Sequence, residues 1–284
     1  MTEHRPRLNP REYDQYVTQN AQKATTKRVI ICSDIHGVFC DQTAWNAFLR
    51  VIKGQLLTSE DEIVLNGDVL DFPELSKHTQ PLFKRQELIG YSEVNEVELV
   101  RGMLSDLRHS TDARIIFRLG NHEERVTSPQ THGASQAARL AVLFKHYNTA
   151  SLDVMLGLEE LNIEYDPAPT REYFGIFTVV HGLSLAKNAA EKNIYSYMGS
   201  GTSGHSHRLS SKTIANKRGN FAWVESGCLR KIDRVEYMPT AVVADWAQGF
   251  CSVVFDISDV NNVTFFARPV PIVNGKCEFN GIVY

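Results

Sequence analysis

Five short segments of this chain collect side chains able to bind a divalent cation. They are Asp34 and His36 in "SDIHG", Asp68 and Asp71 in "NGDVLD", Asn121 and His122 in "GNHEER", His181 in "VVHG", and His205 and His207 in "SGHSH". Taken singly, each has an ordinary alternative. A DxH can be a turn aspartate beside a surface histidine, and GNHE can be a helix start with acidic first-turn residues. VVHG can be a histidine satisfied at a strand end, and GHSH a polar loop. Taken together, imidazole nitrogen and carboxylate oxygen form the donor set of manganese, iron or zinc, whereas an all-oxygen set would favour magnesium or calcium. Two such ions a few Å apart need a shared ligand, which a carboxylate can supply. Asp68 is the candidate.

The elements that must position these residues are legible as well. "RVIICSD", "DEIVLNGD" and "ARIIFRLGN" are β-branched runs that end in a polar turn, the pattern of buried strands. Helical spacing separates them in "QTAWNAFLRVIKGQ" and in "SEVNEVELVRGMLSDLRHS". A further helical stretch over about residues 134–160 precedes the strand "LNIEYDP". Beyond it the chain turns β-rich, with "YFGIFTVVHG", "FAWVESG", "GFCSVVFDI" and "NVTFFARPVPIV". Alternating β and α followed by mostly β predicts two packed sheets with helices outside. The candidate ligands fall after strands, where open α/β sheets bind their ligands. Residues 9–24 read as a short helix with Asn9 as N-cap and Pro10 at the first helical position, so residues 1–27 are expected to be an N-terminal extension and residues 28–284 a single domain.

All five blocks, in this order over residues 34–207, resemble the calcineurin-like metallophosphoesterase superfamily: D-x-H, G-D-x-x-D, G-N-H-[ED], a histidine before glycine, and G-H-x-H. The resemblance implies a four-layer α/β/β/α sandwich of two mixed β-sheets with flanking helices and a dinuclear centre at the strand ends. It implies one metal on Asp34, His36 and His207 and another on Asn121, His181 and His205, with Asp68 as the bridge. Two divalent transition metals are expected, Mn²⁺ first, with Fe, Zn and Ni as alternatives. Together they would generate a hydroxide near neutral pH for attack on phosphorus. His122 matches the family's non-ligand histidine that assists the leaving group. Asp71 matches the carboxylate that orients this histidine in the protein-phosphatase branch.

Departures from that pattern bear on the substrate. The second block continues "GDVLDFPE", so Phe72 stands where protein phosphatases carry an arginine, and Glu123 stands where Mre11-type nucleases usually have aspartate. The stretches "DFPELSKHTQP", "GNHEER" and "SGCLR…ADWAQGF" are similar to phosphoesterases encoded by bacteriophages and prophages. The expected substrate is a phosphodiester of DNA, RNA or a nucleotide. The alternatives are a phosphomonoester, a phosphoprotein or a small pyrophosphate, and a non-catalytic scaffold that keeps the fold. Arg125, Arg208, Lys187 and His78, with Lys77, lie next to ligand blocks and are candidate substrate contacts; solvated loop charge is the plain alternative for at least half of them. Trp223 and Tyr195 could stack on a base, against the commoner role of core aromatics.

Composition bounds these readings. The 284 residues are 43% hydrophobic and 22% charged, with a net charge of −3, so no whole-molecule field attracts nucleic acid or an anionic membrane. That favours a small or single-stranded substrate over tight duplex binding. The start has no signal-peptide core, and no run approaches the roughly 20 apolar residues of a membrane span. The five scattered cysteines without CxxC read as reduced thiols, the expectation for a cytoplasmic protein, in the host cytoplasm if phage-encoded.

Overall fold

The computed structural model describes residues 25–76, 89–128, 133–182, 184–232 and 245–284. The expected helix at 9–24 lies outside the described residues, as do Lys77 and His78. In chain order the first half contains β1 (Thr26–Cys32), α1 (Gln42–Gly54), β2 (Glu62–Asn66), α2 (Glu93–His109), β3 (Arg114–Arg118), α3 (Glu124–Thr127), α4 (Ala134–Tyr147), α5 (Leu152–Leu156) and β4 (Ile163–Asp166). The second half contains β5 (Thr170–Tyr173), β6 (Phe177–Val180), α6 (Ala189–Tyr197), β7 (Ser200–Ser203), β8 (Leu209–Asn216), β9 (Gly219–Ser226), β10 (Gly249–Asp256), β11 (Thr264–Val273), β12 (Lys276–Phe279) and β13 (Ile282–Val283).

These strands make two mixed sheets. One has eight strands in the order β13-β12-β11-β10-β1-β2-β3-β4, the other five in the order β5-β6-β7-β9-β8. Strands β1 to β4 run parallel to their neighbours, whereas β10 pairs antiparallel with β1. In the smaller sheet β6, β7 and β9 are parallel.

The two-residue period of a strand sorts the apolar residues into layers. Val29 and Ile31 of β1 join Val64, Ile116, Phe177, Val179, Val224, Val253 and Phe255 in the core between the sheets. Ile30 and Cys32 face the other way and join Ile63, Leu65, Ile115 and Phe117 against helical residues such as Trp45, Phe48, Val97, Leu104 and Leu143. On the far side, Val180 and Trp223 pack with Ala190 and Ile194 of α6. The result is a helix–sheet–sheet–helix sandwich. Helix α1 is capped by Asp41, which accepts from the N–H groups of Thr43 and Ala44, and α2 by Ser92, which accepts from Asn95 N–H.

Two local differences from the sequence reading have clear causes. The expected helix at 134–160 is two helices, because Asn148 ends α4 in the left-handed region at φ 53°. Strand β8 was not anticipated: its sequence "LSSKTIAN" has a mostly exposed burial pattern, so it carries no apolar alternation to read. Among the described residues no helix is long and apolar enough to cross a membrane.

Candidate metal centre

The parallel strands β1, β2 and β3 of one sheet and β6, β7 and β9 of the other bring their polar carboxyl ends together. Asp34 and His36 follow β1, Asp68 and Asp71 follow β2, Asn121 and His122 follow β3, His181 follows β6, and His205 and His207 follow β7. The chain turns sharply to achieve this. Asp34, His36, Asp68, His205 and His207 all have left-handed φ values, between 52° and 65°. Such backbone is costly for non-glycine residues and collects at functional sites. Close approach demands glycine at two neighbouring positions. A Cβ on Gly67 would lie 2.6 Å from His181 Nδ1, and one on Gly120 would lie 2.2 Å from Asp68 Oδ1.

Three sets of side chains each bring one donor atom per residue to within 4.8 Å of one another: Asp34–His36–His207, Asp68–His181–His205 and His36–Asp71–His122. In the first set His36 Nε2 and His207 Nε2 are 3.0 Å apart, and His207 Nε2 is 3.1 Å from Asp34 Oδ1. In the second, His181 Nε2 is 3.2 Å from Asp68 Oδ2. Asn121 Oδ1 lies 2.8 Å from His205 Nδ1 and 3.2 Å from His181 Nε2. Asp68 Oδ2 is also 4.0 Å from His36 Nε2, so this carboxylate stands between the two sets.

The outer contacts occupy the Nδ1 atoms of His36 and His181 and turn their Nε2 atoms inward. His36 Nδ1–H donates to Asp71 Oδ2 (2.8 Å) and His181 Nδ1–H to the Asn66 carbonyl (2.8 Å). This second hydrogen bond is how proteins fix the tautomer of a metal-binding imidazole. Burial, reinforced by the positive charge of Arg230, holds His36 well below its ordinary value, so it is neutral. Burial and the charge of His181 likewise lower His205. Burial opposes a charge on His181, but the Asp68 carboxylate outweighs it and pushes His181 up to about 10. The pocket between Asp68 and its histidines is thus a place that strongly favours positive charge. The neutral imidazoles of His36 and His205, the imidazole of His181 whose proton a cation would displace, two buried carboxylates and an amide oxygen fit two divalent cations.

The serine of "GHSH" explains why its two histidines face inward. Ser206 Oγ–H donates to the buried Glu225 (2.6 Å), which also accepts from Ser210 (2.7 Å), so the middle residue is held away from the centre. Glu123 is buried beneath the ligand loops. Its Oε2 accepts from the N–H groups of Asp68 (2.9 Å) and Gly120 (2.8 Å), and its Oε1 from Leu70 N–H (2.9 Å).

Asp71 and His122 are brought together in a manner the motif alone does not convey. The Asp71 carboxylate is engaged by His36 at 2.8 Å and stays 3.7 Å from His122 Nδ1. His122 Nδ1–H instead donates to the Asp71 carbonyl (2.8 Å). The residue that was expected to orient His122 through its side chain contacts it through its backbone, because His36 claims the carboxylate.

The candidate substrate contacts diverge. Arg125 Nη2 lies 3.1 Å from His122 Nε2, and its Nη1 donates to the Asp71 carbonyl (2.6 Å). Arg208 is engaged by other partners: Nη1 donates to the carbonyls of Leu185 (3.0 Å) and Ala186 (3.2 Å), and Nη2 is 3.7 Å from Asp245. The Lys187 side chain is 88% exposed with Asp245 4.0 Å away. Trp223 is fully buried, stacked on Tyr197 and donating to Ser203 (3.0 Å), which excludes it as a base platform. Tyr195 is on the surface.

Sequence reasoning missed Glu96, whose buried carboxylate holds the 71–72 backbone. Its signal is position: Glu96 lies one residue before Val97 on a helix whose buried stripe includes Val100, Leu104 and Leu107. It also missed Trp246 and Arg230. The Trp246 ring meets the His207 ring edge-on at 4.2 Å, and the buried Arg230 lies over Trp246 at 5.0 Å and over Phe39 at 5.4 Å.

Residues 27–207 match the calcineurin-like phosphoesterase family. The chain belongs to this family of metal-dependent phosphoester hydrolases, and the candidate ligand clusters lie within or at the ends of the matched span. It is similar to the Gene 54 protein of Mycobacterium phage L5, with 26% identity over 268 residues covering 91% of this chain and 99% of that protein. The Gene 54 protein of Mycobacterium phage D29 is similar to the same extent, 26% over 268 residues.

Proposed function

We propose that this chain hydrolyses a phosphodiester, of nucleic acid or a nucleotide, at a dinuclear manganese centre. One metal would be held by Asp34, His36 and His207, the other by Asn121, His181 and His205, with Asp68 shared. When bound, two divalent cations would supply a nucleophile from water near neutral pH and neutralise the phosphate oxygens. His122, once it takes a proton at Nε2 in place of the Arg125 contact, gives that proton to the leaving oxygen while the Asp71 carbonyl holds Nδ1–H and so fixes the ring. The Arg125 guanidinium, anchored on that carbonyl, adds a fixed positive charge beside the leaving group.

The observation that supports the diester reading is that, among the described residues, few cations are brought to the leaving-group side. A monoester dianion asks for more positive charge than a diester monoanion. Phe72 is buried at the position where phosphatases of the family place an arginine, and Arg208 is committed to Leu185, Ala186 and Asp245. Among the described residues Arg125 is the guanidinium brought to His122.

A Mn²⁺-dependent panel tests this, comparing p-nitrophenyl phosphate, bis-p-nitrophenyl phosphate, cyclic nucleotides, and single- and double-stranded DNA, with His122→Ala as control. The diesters are expected to turn over faster than the monoester. Turnover confined to the monoester would overturn the reading, and two bound metals with no turnover of any substrate would favour a scaffold.

A further inference from the structure

A carboxylate on the apolar stripe of a helix is out of place unless donors converge on it. Glu96 is fully buried on the same side of α2 as Val97, Val100 and Leu107. Three donors meet it. Asp71 N–H donates to Oε1 (2.6 Å), and Phe72 N–H (3.0 Å) and Tyr91 O–H (2.7 Å) donate to Oε2. The loop that follows β1 rests on the same carboxylate: a Cβ on Gly37 would be 2.3 Å from Glu96 Oε1. One side chain therefore touches both the loop of Asp34 and His36 and the loop of Asp71.

We propose that Glu96 is a positioning residue for one metal position only. By fixing the Asp71 peptide it aims Asp71 Oδ2 at His36 Nδ1, and so presents His36 Nε2 to the Asp34–His36–His207 set. The other set is oriented without it. His181 is held by the Asn66 carbonyl, and the backbone of Asp68 and Gly120 is held by Glu123. The effect of Glu96 is thus confined to the His36 side. This inference rests on the dinuclear reading above and adds an inequality between the two positions.

The test uses the full chain with Mn²⁺ alone as probe, read by titration calorimetry and by electron paramagnetic resonance. Wild type is expected to bind two ions that give an exchange-coupled spectrum. Glu96→Gln keeps the size of the side chain but turns one acceptor into a donor facing a peptide N–H. It is expected to weaken one ion by about 10–100-fold, the usual effect of an outer partner of a ligand. The other ion should stay within a few fold, and the spectrum should become that of isolated Mn²⁺. Tyr91→Phe, which removes one donor and leaves the peptide contacts, should shift the same ion several-fold and serves if Glu96→Gln does not fold. Unchanged affinities for both ions, or equal losses at both, would overturn the assignment while leaving the dinuclear reading intact. A wild-type chain that binds no Mn²⁺ would overturn both.

Discussion

Glu123 offers a sharp test of how the centre is held together before any metal binds. Burial and the negative charge of Asp68 both push its carboxyl upward, yet it receives three peptide N–H groups, from Asp68, Leu70 and Gly120. Three of the roughly four acceptor sites of the carboxylate are thereby taken by peptide donors. In Glu123→Gln the amide oxygen can replace Oε2 and keep the Asp68 and Gly120 contacts. The amide NH₂ then faces Leu70 N–H, donor against donor. Loss of one hydrogen bond to a charged acceptor, with its partner left buried, costs about 1.5–3 kcal/mol. For a domain of this size that corresponds to a fall in Tm of roughly 3–6 °C. Thermal and urea unfolding with EDTA present would measure it free of any metal contribution, and equal urea slopes would show that the native state is otherwise intact. A loss below about 0.5 kcal/mol, within the range of an unremarkable surface substitution, would refute the reasoning, since a neutral acid and an amide would then be interchangeable there.

Three further outcomes follow from the same geometry. His122→Ala should lower kcat by about 10²–10⁴-fold on the best substrate while Mn²⁺ stoichiometry by calorimetry stays unchanged, because His122 contacts the Asp71 carbonyl and Arg125 rather than completing either main ligand set. Gly120→Ala should destabilise by about 1–3 kcal/mol or more, because its Cβ would meet Asp68 N at 2.4 Å. Gly102→Ala in the middle of α2 meets nothing within 4 Å and should instead stabilise by about 0.5–1 kcal/mol; urea unfolding of the pair checks both signs. Asp61 titrates low: burial would raise it, but hydrogen bonds from Arg28 and from the Thr58 N–H outweigh that. A depressed carboxylate contributes fully above its unfolded value near ~3.9 and loses the contribution as pH falls through its lower native value. Asp61→Asn should therefore flatten the acid limb of Tm against pH and leave the slope above about pH 5 unchanged.

Much of the centre was legible in sequence because its ligands are local to strand ends. Asp34 and His36 are two residues apart, as are His205 and His207. The groups at 34–36, 68–71, 121–122 and 181 each follow on an apolar run that reads as a strand, whereas His205 and His207 follow the short polar strand β7, "SGTS", which carries no such signal. The sheet order could not be read that way. Strand β10 joins β1 across more than 200 residues, and hydrogen bonding between distant segments leaves no periodic trace. The β8 strand was invisible for a related reason, since both of its faces are largely exposed.

The chain by itself therefore determined the ligand types, their order, and the alternation that splits β1 into Val29 and Ile31 on one face and Ile30 and Cys32 on the other. Tertiary structure decided which atom of each residue does what. It gave the Asp71 carboxylate to His36 and its carbonyl to His122. It turned Arg208 to the Leu185 and Ala186 carbonyls, and it drew Glu96, 25 residues beyond Asp71, beneath the same loop. Such choices depend on which donors and acceptors compete for a side chain once segments far apart in the chain have packed, and buried polar groups take the partners that packing leaves within reach.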